Sequence, residues 1–187
     1  MIGLPQEASR IELMGADAVI VGSQGRDLVF SAITLPPVSV PGAGRPAIAD
    51  TYVSTGAAES EARSHGFFYR PDPGSPGGIS GLLGLPVERE RDGQSAYIDN
   101  AAAVMFLRRA ERRFSDFGEL ASGAPTAGDD ACVVSCVDWY GNARPIFIGS
   151  RVFALMGYEL VEGDATGNHI REVGRLDFTP PPRTDEK

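Results

Sequence analysis

The stretch ARPIFIGSRVFALMGYELVEG, from Ala143 to Gly163, contains three apolar segments with very short breaks between them. The first two, PIFI and VFALM, are separated only by Gly-Ser-Arg, and the third, YELV, follows a single glycine. Gaps of this length, with glycine in them, are typical of β-hairpin turns. The stretch therefore predicts three consecutive antiparallel strands close to the C-terminal end of the sequence.

Strand-like segments with short turns also fill the rest of the chain. RIELM and DAVIVG, for example, are separated only by Gly15 and Ala16, which predicts a hairpin. The predicted strands outside the opening stretch are Arg10–Met14, Asp17–Gly22, Asp27–Leu35, Ala47–Val53, Arg63–Arg70, Gly81–Arg89, Ser95–Ile98, Ala103–Arg108, Phe114–Leu120 and His169–Phe178.

One segment, residues 101–114 (AAAVMFLRRAERRF), fits two descriptions. Its Ala, Met, Leu, Arg and Glu residues favour a helix. However, VMFL is a continuous apolar run and RRAERR is uniformly charged, so apolar residues do not recur at the helical period of 3.6. We interpret the segment as a strand, a charged turn and a second strand, and the helix stays open as the alternative.

The predicted strands fall into three similar units. ASRIELMGADAVIVG (8–22), ARSHGFFYRP…GLLGLPV (62–87) and ARPIFIGSRVFALMG (143–157) each contain an Ala-(Ser)-Arg start, an apolar strand, a turn and a second apolar strand. Four strands per unit, at a spacing of roughly 50 to 80 residues, are typical of β-propeller blades. The sequence predicts an all-β chain of about three four-stranded meanders, with blades at 8–54, 62–121 and 139–179. The partial propeller spans 1–179, and 180–187 is predicted to be a disordered tail.

Composition excludes several classes of function. The formal net charge of −8 argues against a nucleic-acid or anionic membrane surface, because such surfaces need clustered Lys and Arg. The sequence has no apolar window near the roughly 18 residues of a membrane helix, and its N-terminus lacks the pattern of a signal peptide. No cofactor motif is evident: the glycine-rich segment 74–81 lacks the Lys-Ser/Thr of a phosphate-binding loop.

Several motifs are similar to the C-terminal part of bacterial secreted β-propeller proteins, which are distantly WD-like. The similar elements are a His-x-aromatic-aromatic strand at His65, a Leu-x-(Val/Leu)-Pro strand at Leu83–Val87, and an Ile-Gly-(Asp/Ser) turn into an aromatic strand within Phe147–Leu155. The resemblance covers most of the chain, from about Arg10 to Phe178. It implies a propeller fold in an extracytoplasmic (periplasmic or secreted) bacterial protein.

About three blades form an incomplete ring, because closed propellers have roughly four to eight. Both end faces would then be exposed, which is an aggregation liability. The missing blades could come from the same parent chain, from a second copy that closes a six-bladed ring, or from a partner protein. We expect the first of these, with the chain as a fragment of a longer protein, and a polar ligand or protein as a further partner.

The candidate ligand-binding residues are polar or aromatic groups near the starts of the repeats. They are Arg63, His65, Asp138, Trp139 and Arg144. If the first strands of the blades line a channel, Arg10, Arg63 and Arg144 would form a polar ring able to hold an anionic ligand. The alternative is that these arginines pair with Glu59, Glu61 or Asp138.

Cys132 and Cys136 are the two cysteines of the chain, and two states stay open for them. Residues four apart on an extended strand are about 13 Å apart, so a disulfide requires the intervening residues to curl. A local disulfide would fit the extracytoplasmic habit of the similar proteins, and two reduced cysteines are the alternative. A zinc site is not expected, since no histidine lies nearby to complete it.

Two functions follow from these observations. The first is a non-enzymatic propeller module for binding or scaffolding, which fits the repeats and the lack of a nucleophile–base constellation. The second is an enzyme, a hydrolase or lyase with its site in the channel, using His65 with Arg63 or Arg144.

Overall fold

A computed structural model of the chain describes residues 2–37, 44–61, 63–89, 102–123 and 143–178. These residues form thirteen β-strands and two short 3₁₀ turns, at Ser64–Gly66 and Pro76–Gly78, and contain no α-helix. The predicted all-β class is confirmed. The strands are β1 Glu7–Met14, β2 Asp17–Gln24, β3 Asp27–Thr34, β4 Ala47–Ser54, β5 Ala57–Glu59, β6 Phe68–Pro71, β7 Gly81–Arg89, β8 Ala102–Ala110, β9 Arg113–Ala121, β10 Arg144–Ile148, β11 Arg151–Met156, β12 Glu159–Asp164 and β13 Arg171–Asp177.

The strands form three antiparallel sheets that follow one another along the chain. Sheet 1 has the order β1-β2-β3-β4, and sheet 3 has the order β10-β11-β12-β13. Sheet 2 comprises β5 to β9 and follows the same meander through β7, β8 and β9. The three strands predicted from the opening stretch are β10, β11 and β12, joined by two-residue turns at Gly149-Ser150 and Gly157-Tyr158.

The first strand of sheet 2 is divided into two pieces. Both β5 and β6 pair with β7, β5 with its last three residues and β6 with its first four. The single strand predicted for Arg63–Arg70 is therefore wrong in its first half, where Ser64–Gly66 is a 3₁₀ turn. The buried carboxylate of Glu61 explains the departure, because it accepts the backbone N–H of Arg63 at 2.8 Å and turns the chain away from the sheet.

The segment for which helix and strand were both open, within residues 101–114, forms β8 and the start of β9. The strand interpretation is therefore confirmed. Its residues pair with β7 on one side and β9 on the other. The turn between β8 and β9 is formed by Glu111 and Arg112, both with positive φ (48° and 72°). Two residues in this conformation suit the twist of a two-residue hairpin, although glycine is the more usual choice there.

Sheet 2 lies between the other two sheets and is buried on both faces. Along β8, Met105 and Leu107 point into an apolar cluster shared with sheet 1, whereas Val104 and Phe106 point into a second cluster shared with sheet 3. This alternation is the period of two that a strand imposes on its side chains. The continuous apolar run VMFL therefore reflects burial on both faces rather than a helix.

Corresponding strands of successive sheets lie near each other. The first strands make contact from sheet to sheet, β1 with β6 and β6 with β10. The last strands do the same, β4 with β9 and β9 with β13. The three sheets thus stack in chain order with a common orientation. The strand predicted at Ser95–Ile98 and the tail at 180–187 lie outside the described residues.

Candidate functional site

A charged cluster occupies the segment between β5 and β6. The side chain of Glu61 is only 3% exposed and accepts three hydrogen bonds from Arg63, from its backbone N–H at 2.8 Å and from Nε and Nη2 at 3.0 Å. His65 Nε2 lies 3.4 Å from the carboxylate oxygen Oε2 of Glu61. The 3₁₀ turn that carries His65 also contacts β7 and β10.

Arg10 connects this cluster to sheet 1. Its guanidinium Nη2 donates to the carbonyl oxygens of Glu61, at 2.5 Å, and Arg63, at 3.2 Å. The same group forms an ion pair with Glu59, and Nη1 lies 3.6 Å from Glu12. A buried arginine with this many acceptors fixes the segment against β1, because an unpaired buried charge costs several kcal/mol.

The electrostatics of the cluster keep Glu61 ionised. Burial opposes its ionisation, but the hydrogen bonds from Arg63 and the charges of Arg63 and His65 outweigh burial and lower the pKa of Glu61 below its usual 4.5. A general acid or base near neutral pH needs a pKa close to 7. Glu61 is therefore suited to holding the segment together and unsuited to proton transfer.

The structure places the predicted site residues in different surroundings. The structure brings Arg63 and His65 together on Glu61, and places Arg144 at the exposed start of β10. Arg10 does not extend a polar ring, since its side chain is 6% exposed and ion-paired. His65 is not on a strand. Four predicted residues, Asp138, Trp139, Cys132 and Cys136, lie outside the described residues.

A second charged group, between sheets 1 and 2, was missed by the sequence reasoning. Arg109 is fully buried and its Nη2 donates to Asp17 Oδ2 at 2.6 Å, while Nη1 donates to the carbonyl oxygens of Met14 and Gly78. Arg112 Nε donates to the same carboxylate oxygen at 2.8 Å. Burial opposes ionisation of Asp17, but these two arginines outweigh it and lower its pKa below 3.8.

The alternation of side chains between the two faces of β8 is the sequence signal that could have revealed the buried Arg109. Counting by twos from Ala103 through Met105 and Leu107 reaches Arg109, which places the arginine on the buried face. Its acid partner lies 92 residues earlier, and no local pattern indicates that pairing.

Two apolar faces remain at the ends of the stack. The first, the open face of sheet 1, is the side turned away from sheet 2. Its cross-strand rows are Ile11–Ile20–Ser31–Thr51 and Leu13–Ala18–Ile33–Ile48. Its edge strand β1 is exposed, with Leu13 at 71% and Ile11 at 69%, whereas Val29, Ser31 and Ile33 on the middle strand β3 are buried. Gln6 covers part of this face, since Ser31 Oγ donates to its side-chain oxygen at 3.0 Å.

The second, the open face of sheet 3, is the side of that sheet turned away from sheet 2. Its rows are Arg144–Leu155–Leu160–Leu176 and Ile146–Phe153–Glu162–Gly174, with Ile148 beside them. Ile148 is 61% and Leu176 59% exposed. Soluble monomers rarely expose large contiguous apolar patches, and such patches usually mark binding surfaces.

Among the described residues, no group of three or more His, Cys, Asp or Glu side chains is arranged to hold a metal ion. Those residues also contain no helix with the length and apolar character needed to cross a bilayer. Compared with models of protein families, with curated proteins and with solved structures, the chain matches none.

Proposed function

We propose that the chain is a non-enzymatic binding or scaffolding module built from propeller-type blades, and that it acts by packing apolar sheet faces against further blades. The observation that carries the proposal is the pair of open faces on sheets 1 and 3. Both faces carry exposed Ile and Leu side chains of the kind buried on both sides of sheet 2, alongside polar residues such as Thr51 and Glu162. By its resemblance, the parent protein is an extracytoplasmic bacterial one.

Burial energy supports this role for the open faces. Burying one Leu or Ile side chain is worth about 1.5–3 kcal/mol relative to leaving it in water. Ile11, Leu13, Ile148 and Leu176 are each more than half exposed. A partner that covers them gains several such contributions, which is the usual source of affinity between apolar sheet faces.

The alternative is a hydrolase or lyase that uses His65 with Arg63 or Arg144. It is favoured by the position of His65, which is 33% exposed on a turn that contacts β10, the strand that begins at Arg144. Against it, Arg63 is engaged with Glu61, and the low pKa of Glu61 makes that carboxylate beside His65 unsuited as a proton donor.

A turnover screen separates the two functions. A panel of hydrolase and lyase substrates is tested with the wild-type chain, with His65→Ala and with His169→Ala, a matched variant at an exposed histidine. We expect no turnover from any of them. A turnover that persists in His169→Ala and disappears in His65→Ala would establish the enzyme and reject the binding module.

A further inference from the structure

We propose that residues 2–6, which precede β1, act as a strap that reversibly covers the open face of sheet 1. A further sheet packs on that face only after the strap has left it. This inference rests on the proposed function and adds a means of regulating one of the two binding faces.

The strap leaves the plane of sheet 1 where β1 begins. Glu7 and Ala8 pair with Ser23 and Gly22 at the end of β2, and a bulge separates these pairs from the rest of β1. Gly22 belongs to the open face, because its neighbour Val21 points into the cluster shared with sheet 2. A Cβ at Gly22 would overlap the carbonyl oxygen of Glu7. The chain therefore crosses onto the open face where a glycine leaves room for it.

Gln6 fastens the strap over the two middle strands of the sheet. Its Nε2 donates to the carbonyl oxygen of Ile20 at 3.0 Å, and its Oε1 accepts from Ser31 Oγ at 3.0 Å. Gln6 is only 8% exposed and Ser31 is fully buried, whereas Ile11 and Leu13 on β1 are mostly exposed. The cover thus extends over β2 and β3 and leaves this part of β1 free.

The attachment of the strap is weaker than that of the strand that follows it. Two side-chain hydrogen bonds replace hydrogen bonds to water, so their net contribution is small, and ordering the backbone of five residues opposes it. Ile2 and Leu4 are only partly buried. After the bulge, in contrast, the buried Arg10 donates to the carbonyl oxygens of Glu61 and Arg63. The bulge therefore separates a displaceable strap from a fixed strand.

The strap occupies the place that a further sheet would need. At the junction of sheets 1 and 2, β5 pairs with the end of β7 as Glu7 and Ala8 pair with the end of β2. On this side of sheet 2, β7 and β8 are covered by side chains of sheet 1 such as Val21 and Phe30. The equivalent strands of sheet 1, β2 and β3, carry Gln6 instead. The strap and a further sheet therefore exclude each other.

Gln6→Ala removes both side-chain hydrogen bonds and should open the strap. We expect binding of the apolar dye anilinonaphthalene sulfonate to rise at least about threefold, because this dye binds exposed apolar surface. Hydrogen exchange of residues 2–8, followed by mass spectrometry, should accelerate at least about tenfold, since local opening controls it. Exchange of residues 11–14 and the thermal midpoint should stay at their wild-type values. Gln24→Ala, at an exposed glutamine of β2, is the matched control and should change none of these.

Gly22→Ala tests the same step without changing Gln6. Its Cβ would overlap the carbonyl oxygen of Glu7 and displace the chain from the open face. We expect the same rise in dye binding and in exchange of residues 2–8. Gly3→Ala lies within the strap and is the matched control, because a Cβ there meets nothing within 4 Å. Circular dichroism would verify the fold of every variant.

The wild-type chain tests the inference without any substitution. Its residues 2–8 are expected to exchange at a rate between that of an unprotected peptide and that of residues 11–14. Exchange at the unprotected rate would show that the strap does not close, and exchange as slow as that of residues 11–14 would show that it does not open separately. Either result rejects the inference, as does unchanged dye binding in both Gln6→Ala and Gly22→Ala.

Failure of the strap and failure of the proposed function have different signatures. Any of the rejecting results above would leave the binding function standing, with the open face of sheet 3 as its surface. A turnover lost in His65→Ala would instead reject the binding function, whatever the exchange rate of residues 2–8.

Discussion

The two junctions of the middle sheet are stabilised in different ways. On the side of sheet 1, an apolar cluster encloses buried charges, with Arg109 bound to Asp17 and Arg10 bound to Glu59 and to backbone carbonyls. On the side of sheet 3, the apolar cluster includes Phe106 and Phe117, and the buried carboxylate of Glu159 at the edge of this junction accepts from Ser122 and pairs with Arg175, whose side chain is 25% exposed.

Polar contacts of the second junction lie at its margins. Arg70 donates to the carbonyl oxygen of Gly149 at 3.0 Å and its guanidinium lies 4.8 Å from the ring centre of Phe147. At the opposite margin, the backbone N–H of Ile170 donates to the carbonyl oxygen of Phe117, and Arg175 Nη2 donates to the carbonyl oxygen of Ala121. Arg70 is only partly buried, so losing its contacts should cost less than losing a fully buried partner.

The difference between the two junctions predicts which of them is more sensitive to the loss of a charged side chain. A buried ion pair adds little net stability when complete, but removing one partner leaves the other charge buried and unpaired. The first junction, which encloses the fully buried Arg109, should therefore respond most strongly to the loss of a charge, whereas the second should respond to changes in side-chain volume and, through Glu159, also to acid.

Removing the buried arginine is expected to have the largest effect. Arg109→Met should lower the free energy of unfolding by about 3–5 kcal/mol, because Asp17 remains buried with only Arg112 beside it. Urea denaturation would measure the loss. The double variant Asp17→Leu/Arg109→Met, which removes both charges, should recover part of it, and a double variant less stable than Arg109→Met would contradict the role assigned to the pair.

Adding one methyl group should destabilise the second junction. A Cβ at Gly84 would lie 2.6 Å from Pro145 Cβ, closer than real contacts allow, and in a tight contact of 3.1 Å with Phe106 Cε1. Gly84→Ala should therefore cost about 1–3 kcal/mol in the free energy of unfolding. Gly174→Ala is the matched control, since a Cβ there meets nothing within 4 Å and its effect should be near zero. Equal effects at the two glycines would show that the second junction is not closely packed.

Acid should weaken the first junction. The folded-state pKa of Asp17 lies below its usual 3.8, so the stabilisation by its charge is complete above that value and is lost as the pH falls through the folded-state pKa. We expect the urea midpoint to fall as the pH drops below 3.8. Asp17→Asn should flatten this dependence, whereas Glu111→Gln, at an exposed turn acid, should preserve it. An unchanged slope in Asp17→Asn would remove Asp17 from the acid response.

The smallest effect is expected on the open face of sheet 3. Arg151 pairs with Glu162 through Nε at 2.7 Å, but its side chain is 60% exposed. Fully exposed ion pairs add little net stability, so Arg151→Ala should leave the free energy of unfolding measured in urea almost unchanged. A loss in the free energy of unfolding as large as that of Arg109→Met would contradict the expectation that buried ion pairs are more sensitive than exposed ones.

Parts of the candidate site could be predicted from the sequence. The neighbourhood of Arg63 and His65 was identified from the repeat, but their arrangement on Glu61 was not, because the 3₁₀ turn depends on a buried carboxylate that the strand pattern does not reveal. Asp17 and Arg109 were missed for a related reason. Each is unremarkable within its own segment, and their importance comes from burial on facing sheets.

By itself, the sequence determined most of the strands and their pairing as antiparallel meanders. Side-chain alternation and turn residues such as Gly15 and Gly149 act within a few residues, so these features can be recognised locally. Only the tertiary structure decided between helix and strand at residues 101–114, divided the first strand of sheet 2, and buried Arg109 against Asp17. These outcomes depend on which faces meet, and the free energy of burying a face is set by residues far away along the chain.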